Sequence, residues 1–383
     1  MSRLTIDTVY LKDTLAELLS IASPTGYTDT IVRTAVGELR RLGVEMEITR
    51  RGAIRARLPG ASPKGARAMI AHLDTIGAQV KQLKSNGRLE LVPVGHWSSR
   101  FAEGARATVF TDNGAYRGTI LPLKASGHTF NDEIDTQPVA WTNVEMRVDA
   151  ILKDEHDLRR LGFGIGDLVA IDPQPEFMDN DYIVSRHLDD KAGVAILFAT
   201  IDAILREKVE LPVDLFFLFS IAEEVGIGGA SVLTDDIASM VTIDNGTTAP
   251  GQASAEFGVT VGMADQSGPF DWHLTQKLVR LCEENEIRYQ KDVFRYYRSD
   301  SAAALQAGHD VRTALVTFGV DSSHGYERVH LHALRSIAEL LTAYAVSPVE
   351  IQRDRDAMGP IAGFTTQPME DADVFPRPGK PQV

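Results

Sequence analysis

Two adjacent carboxylates, Glu223 and Glu224, follow closely on an apolar run, residues 215–219, and are followed by Gly226, Gly228 and Gly229. A strand buried on both faces of a parallel sheet reads as such a run. Glycines let the backbone turn tightly behind it. In open α/β sheets the ligand lies beyond the carboxyl ends of the strands. A Glu-Glu pair there suggests one acid holding a metal ion and the other moving a proton. The plain alternative is an acidic loop closing a core strand.

The arrangement recurs along the chain. Residues 68–73 are apolar apart from His72, and Asp74 follows. Residues two apart in an extended chain share a side, so His72 could bind a metal while Asp74 accepts its other ring N–H and sets the tautomer. A strand-end His with a capping Asp is the alternative. In SRHLDDKAG, Asp189 and Asp190 stand at a helix start, where Asp is a common cap. A second acid, and a His three residues before Asp190, exceed what a cap requires. Asp244 follows the short apolar stretch 241–243, with an Asx turn as its alternative. His324 lies just past the apolar run 311–320.

Taken together, His72, Asp189, Glu224, Asp244 and His324 fall at the ends of expected sheet elements. Two imidazoles and three carboxylates suit two Zn²⁺-like ions that share one carboxylate. Such ions, roughly 3.5–4 Å apart, can hold a hydroxide and polarise a carbonyl oxygen together. Glu223 is then the spare acid and the general base.

The surrounding pattern supplies elements to position these groups. Helical spacing predicts helices over residues 9–21 and 28–42, split by the turn signal SPTG, and over a long segment from 188. Further helices are expected at 231–240, 270–284, 300–306 and 329–346, and strands at 50–58, 68–73, 241–243, 257–263 and 311–320. Residues 77–174 differ in character. Short candidate strands at 88–94, 107–111, 116–121, 144–148 and 168–171 are divided by turns such as Asn86-Gly87 and Gly166-Asp167, which suggests a small barrel or sandwich. The expected organisation is a catalytic α/β domain in two parts, 1–76 and 175–346, a β-barrel-like insertion at 77–174, and a Pro-rich tail at 347–383. The fold class is thus a mixed, largely parallel sheet flanked by helices, with an inserted all-β domain. The polar loop 124–132 either reaches toward the site or is simply solvated. The tail reads as disordered or laid on a neighbour.

Composition narrows the function. The 383 residues carry a formal net charge of −14, which argues against nucleic acid or an anionic membrane as partner. A single cysteine, Cys282, excludes an internal disulfide and reads as a packed residue of a helix. With no apolar signal core and no membrane-length apolar run, the expectation is a soluble, cytoplasmic protein.

The motifs His72-Leu73-Asp74, Leu188-Asp189-Asp190-Lys191, Glu223-Glu224-Val225-Gly226, Ile243-Asp244, Ser299-Asp300, and His324 with Glu327 resemble, in order, those of the tetrahedral-aminopeptidase or glutamyl (deblocking) aminopeptidase family of two-metal peptidases. The resemblance spans residues 23 to about 346. It implies that Asp189 bridges the metals, that His72 and Asp244 complete one site and Glu224 and His324 the other (or a close permutation), that Glu223 is the base and that Asp74 supports the ligands from behind. It also implies dimer contacts through the β insertion and assembly up to a tetrahedral dodecamer. Thr75 stands where the family usually has Glu, Lys191 where it has Arg, and His324-Gly325-Tyr326 where it often has His-Ser-Pro. No ligand is lost, but substrate preference is left open. Residues 119–139 resemble a narrower branch associated with systems making the osmoprotectant N-acetylglutaminylglutamine amide.

The function expected from the sequence is a metallo-aminopeptidase that cleaves short peptides through a metal-bridging hydroxide, with Zn, Co or Mn as the ions. A deacylase or amidase on a small acylated or amidated dipeptide, and a non-catalytic oligomeric scaffold, are the alternatives.

Overall fold

The protein is described here by a computed structural model covering residues 4–368. Its centre is four parallel strands in the order Leu215–Ser220, Ala66–His72, Ile237–Thr247, Arg312–Val320. Every residue of Ala66–His72 and Leu215–Ser220 is buried. Helices cover both faces of such a sheet, so its strands are largely apolar rather than alternating. The edges are antiparallel. The hairpin Glu45–Ile48 and Ile54–Leu58 extends one side, and Val259–Asp265 pairs with Arg312–Val320 on the other. Tyr289–Val293 then adds in parallel beyond Val259–Asp265. The sheet is mixed and largely parallel, as the sequence indicates.

The helix Leu188–Glu207 is buried along most of its length and packs between the sheet, Thr8–Leu19 and the final helix Leu331–Val346. No helix among the described residues is long and apolar enough to cross a membrane.

A separate closed barrel of six antiparallel strands is formed by Gly77–Leu83, Leu89–Val94, Val144–Val148, Gly114–Pro122, Arg106–Thr111 and Leu168–Ile171. Its own core includes Val80, Leu91, Val109, Ile120, Met146 and Val169. The polar loop 124–132 carries a short helical turn, Gly127–Phe130, followed by a second, Glu133–Thr136, both without buried residues.

Three expectations need correction. Residues 231–240 are not a helix. After a single 3-10 turn, Gly229–Ser231, the chain bends at Thr234–Asp236, and the strand Ile237–Thr247 begins. Pairing on both sides, with Ala66–His72 and Arg312–Val320, outweighs the helical spacing of Val232, Leu233 and Met240. The edge strands Glu45–Ile48 and Tyr289–Val293 were not expected. Both are short and largely exposed, so neither carries an apolar signature. The described part of the tail lies on this chain itself: Lys277 Nζ donates to the Pro348 carbonyl at 2.6 Å, and Arg312 Nε to Asp354 at 2.8 Å. The remainder of the tail expectation, residues 369–383, lies outside the described residues.

Candidate active site

Each sequence-flagged group sits where the strand ends converge. His72 closes Ala66–His72, and Asp244 lies late in Ile237–Thr247. Glu223 and Glu224 follow Leu215–Ser220, His324 follows Arg312–Val320, and Asp189 opens Leu188–Glu207. All six are brought together except that Glu223 reaches only His72 and Asp244 closely. One oxygen or nitrogen from each of His72, Glu223 and Asp244 lies within 4.8 Å of the others, as does one from each of His72, Asp189 and Glu224. Asp189 stands between the imidazoles. Its Oδ1 is 3.1 Å from His72 Nε2 and its Oδ2 is 3.2 Å from His324 Nε2. Glu224 Oε2 is 3.5 Å from His324 Nε2, and Glu223 Oε2 is 3.8 Å from His72 Nε2.

Both imidazoles are oriented by main chain. His72 Nδ1 is 2.8 Å from the Asp74 carbonyl oxygen, and His324 Nδ1 is 2.9 Å from that of His96. A carbonyl only accepts, so Nδ1 donates in each ring and Nε2 is the nitrogen that faces the acids: protonated it donates to Asp189, and neutral it offers a lone pair to a cation. This corrects the expected role of Asp74, whose carboxylate Oδ1 is 3.7 Å from that ring nitrogen. The carboxylate instead accepts the Glu223 N–H at 3.1 Å, the Glu224 N–H at 3.4 Å and the Thr25 hydroxyl at 2.7 Å. Asp74 therefore fixes the backbone of both glutamates. His187 turns away from the cluster: its Nε2 is 2.9 Å from the Ile171 carbonyl. Asp190 is a helix cap, accepting the Gly193 N–H at 3.1 Å, and it also accepts the His72 N–H at 3.1 Å.

Several supporting groups carried no role in the sequence reading. Asn245 Nδ2 donates to Asp189 Oδ2 at 2.5 Å. Glu327 accepts the Asp189 N–H at 3.2 Å and the His324 N–H at 2.9 Å, so one carboxylate fixes two backbone positions. Ser220 donates to Asp300 at 2.7 Å. A buried Asn beside Asp244, and the motif positions Asp300 and Glu327, are the signals that could have found them. The glycines after Glu224 serve close approach as well as turning. Gly226 has φ +78, and a Cβ at Gly228 would stand 2.2 Å from Asp300 Oδ1. His324 also holds a left-handed backbone, φ +62, which side-chain-bearing residues adopt mainly where surrounding structure enforces it.

The electrostatics follow from crowding. Burial works to raise Asp189, but hydrogen bonds to His324 and His72 hold it well below the usual carboxylate range. Burial pushes Glu224 up to about 8, with Asp189 adding to it and His324 opposing. Burial also drives Glu223 and Asp244 well up, helped by Asp244 and Asp300 in the first case and by Asp189 in the second. His324 rises to about 10, because its bond to Asp189 and the charge of Glu224 outweigh its burial. There is more buried negative charge than two imidazoles can balance, and protons are drawn in. Divalent cations would balance it equally well. Imidazole nitrogen with carboxylate oxygen is the donor set of Zn²⁺, Co²⁺ and Mn²⁺ sites, so the residues fit such ions.

The cluster opens into a cleft of about 780 Å³, whose lining includes His96 from the barrel segment and residues 294–299. Over residues 52–340 the sequence matches the family described as M42 glutamyl aminopeptidase. The chain belongs to the M42 glutamyl aminopeptidase family. The putative aminopeptidase YhfE of Bacillus subtilis (strain 168) is 38% identical over 336 residues, covering 88% of this chain and 97% of that protein. The TET1 peptidase of Pyrococcus horikoshii, described as assembling into a tetrahedron or a large octahedral shell, shares the fold at a TM-score of 0.77 and 20% identity, over 88% of this chain and 99% of the other. An aminopeptidase of Desulfurococcus kamchatkensis shares it at a TM-score of 0.78 and 21% identity, over 88% and 94%. As an M42 peptidase the protein is a peptide-bond hydrolase of a metal-dependent family.

Proposed function

We propose that this M42 peptidase is a two-metal aminopeptidase acting on short peptides with a free amino end. The observation that carries the reading is the Asp189 carboxylate, with one oxygen facing each Nε2, 3.1 Å from that of His72 and 3.2 Å from that of His324. In this reading His72 and Asp244 hold one ion, Glu224 and His324 the other, and Asp189 serves both. When bound, such ions polarise a carbonyl and lower the pKa of a water. Glu223 takes the proton from the attacking water and passes it to the departing amine. Asp74 keeps Glu223 and Glu224 in place through their backbone N–H groups. Residues 294–299 and Gln252 form part of the wall against which the peptide lies.

The test is side-by-side assay of metal-stripped and metal-reloaded protein on aminoacyl anilides and their N-acetylated analogues. The expected result is about two divalent ions per chain by elemental analysis, with hydrolysis of the free-amino substrates only. Cleavage confined to acetylated substrates would make the protein an amidase. At most one tight ion would overturn the two-metal reading.

We further propose that the barrel carries an assembly interface. Its support is an independently closed barrel projecting between Ile76 and the strand Tyr182–Ser185, together with the shells described for the TET1 relative. Multi-angle light scattering is expected to give a mass of many subunits. A monomer mass of 41.9 kDa across a wide concentration range would rule the interface out.

A further inference from the structure

A second cavity, of about 270 Å³, lies at the seam between the barrel and the α/β part of the chain. Arg117 and Asp172 line it from the barrel side, and Thr75, His187 and Lys191 from the other. It shares no lining residue with the catalytic cleft.

Lys191 is only 1% exposed. Its ammonium donates to the Ile21 carbonyl, and among the described residues it meets no carboxylate. An ammonium has three N–H groups, so two remain to be used. Burying a charge is costly unless it is paired. The other charges at the cavity cancel, because Arg117 Nη1 donates to Asp172 Oδ1 at 2.7 Å and Nη2 donates to Oδ2. The unmatched charge is therefore that of Lys191 alone.

His187 is also buried. Its Nε2 donates to the Ile171 carbonyl, and burial together with the nearby Lys191 charge keeps the ring neutral, so Nδ1 holds a lone pair. That Nδ1 is buried without a hydrogen-bond partner. The cavity thus combines an uncompensated ammonium with an acceptor that needs a donor. Two of the departures from the family pattern, Thr75 for Glu and Lys191 for Arg, border this same cavity. A Glu at position 75 would carry a negative charge to it, and Thr75 does not.

We propose that this cavity binds a small monovalent oxyanion that keeps one O–H, with bicarbonate as the type. The charged oxygens accept from Lys191, and the O–H donates to His187 Nδ1. The anion joins the barrel to the segment that carries Asp189. The site is separate from the peptidase chemistry and does not depend on it.

The test measures the apparent Tm of the metal-loaded protein in sodium bicarbonate, nitrate and chloride at constant pH and ionic strength. Nitrate matches bicarbonate in shape and charge but has no O–H. Bicarbonate is expected to raise Tm by about 2–4 °C, and nitrate and chloride by clearly less. Lys191→Met, which removes the charge but keeps an unbranched side chain, should lose the response. Thr75→Glu, which supplies a carboxylate from the chain itself, should raise Tm without bicarbonate and also lose the response. Crystals soaked in bicarbonate should show the anion between Lys191 and His187, a readout that needs no variant. No response to bicarbonate, an equal response to nitrate, a response retained in either variant, or density for the anion only at the catalytic cluster would overturn the proposal.

Discussion

Glu223→Gln is expected to bind both metal ions and substrate yet turn over at least about 10²–10⁴-fold more slowly, the usual worth of a general base. Glu224→Gln is expected to lose one ion. The two acids are adjacent in sequence and share the support of Asp74, so the contrast rests on their side chains. Glu224 is fixed at both ends: Oε1 accepts the Ile76 N–H at 2.9 Å, while Oε2 lies 3.5 Å from His324 Nε2. A Gln there can keep the Ile76 bond with its carbonyl, and its NH₂ then points at the position proposed for a cation. Among the described residues the Glu223 carboxylate accepts no hydrogen bond, and its nearest imidazole nitrogen is 3.8 Å away. It is held in place through its backbone and left free to address a water. Substrate binding by Glu223→Gln, read by competition with an uncleaved analogue, should match wild type within a few-fold. Equal metal loss in both variants, or near-normal turnover by a metal-loaded Glu223→Gln, would require the two roles to be reassigned. The first outcome has a ready structural explanation, because Glu223 is grouped with His72 and Asp244 closely enough to be a ligand.

Asp189→Asn is expected to disturb both ion sites at once. The carboxylate presents Oδ1 toward His72 and Oδ2 toward His324, and Asn245 donates to the latter oxygen. An amide has one oxygen to offer. If that oxygen faces His72, the NH₂ faces both Asn245 and the second ion, so two donors oppose each other and one ion loses its acceptor. The reversed amide spares the Asn245 bond but turns the NH₂ toward His72. Metal content should fall from about two ions per chain to one or none. Turnover should fall by about 10³-fold, because several kcal/mol of carbonyl polarisation and water activation go with the lost site. Elemental analysis at graded metal concentrations, paired with kinetics at saturating metal, checks both quantities. Full occupancy at wild-type affinity in Asp189→Asn would show that Asp189 is not shared between the ions.

Much of the architecture was legible because its signals are local. A parallel strand buried on both faces is mostly apolar along its length, so Ala66–His72, Leu215–Ser220 and Arg312–Val320 stand out in the sequence, and the polar residues at or just past their C-terminal ends mark the site. The helices Thr8–Leu19, Asp29–Leu42 and Trp272–Glu284 bury one stripe each and show its spacing. The barrel strands are separated by turn residues that also read locally. Where two partners sit on either side of one segment, as for Ile237–Thr247, local spacing misled.

The internal arrangement of the site belongs to tertiary structure. Which carboxylate stands between the imidazoles depends on contacts 117 residues apart for His72 and Asp189. That Asp74 serves the Glu223 and Glu224 backbone, while its own carbonyl sets the His72 tautomer, depends on a separation of 149 residues in one case and 2 in the other. The barrel holds His324 through the His96 carbonyl across 228 residues, with a main-chain atom that every residue type possesses. Residue types and their order declare which chemistry is available. Long-range hydrogen bonds, especially those made by backbone groups, leave no trace in residue identity, and the packing of the sheet, the barrel and the 294–299 wall decides which atom faces which.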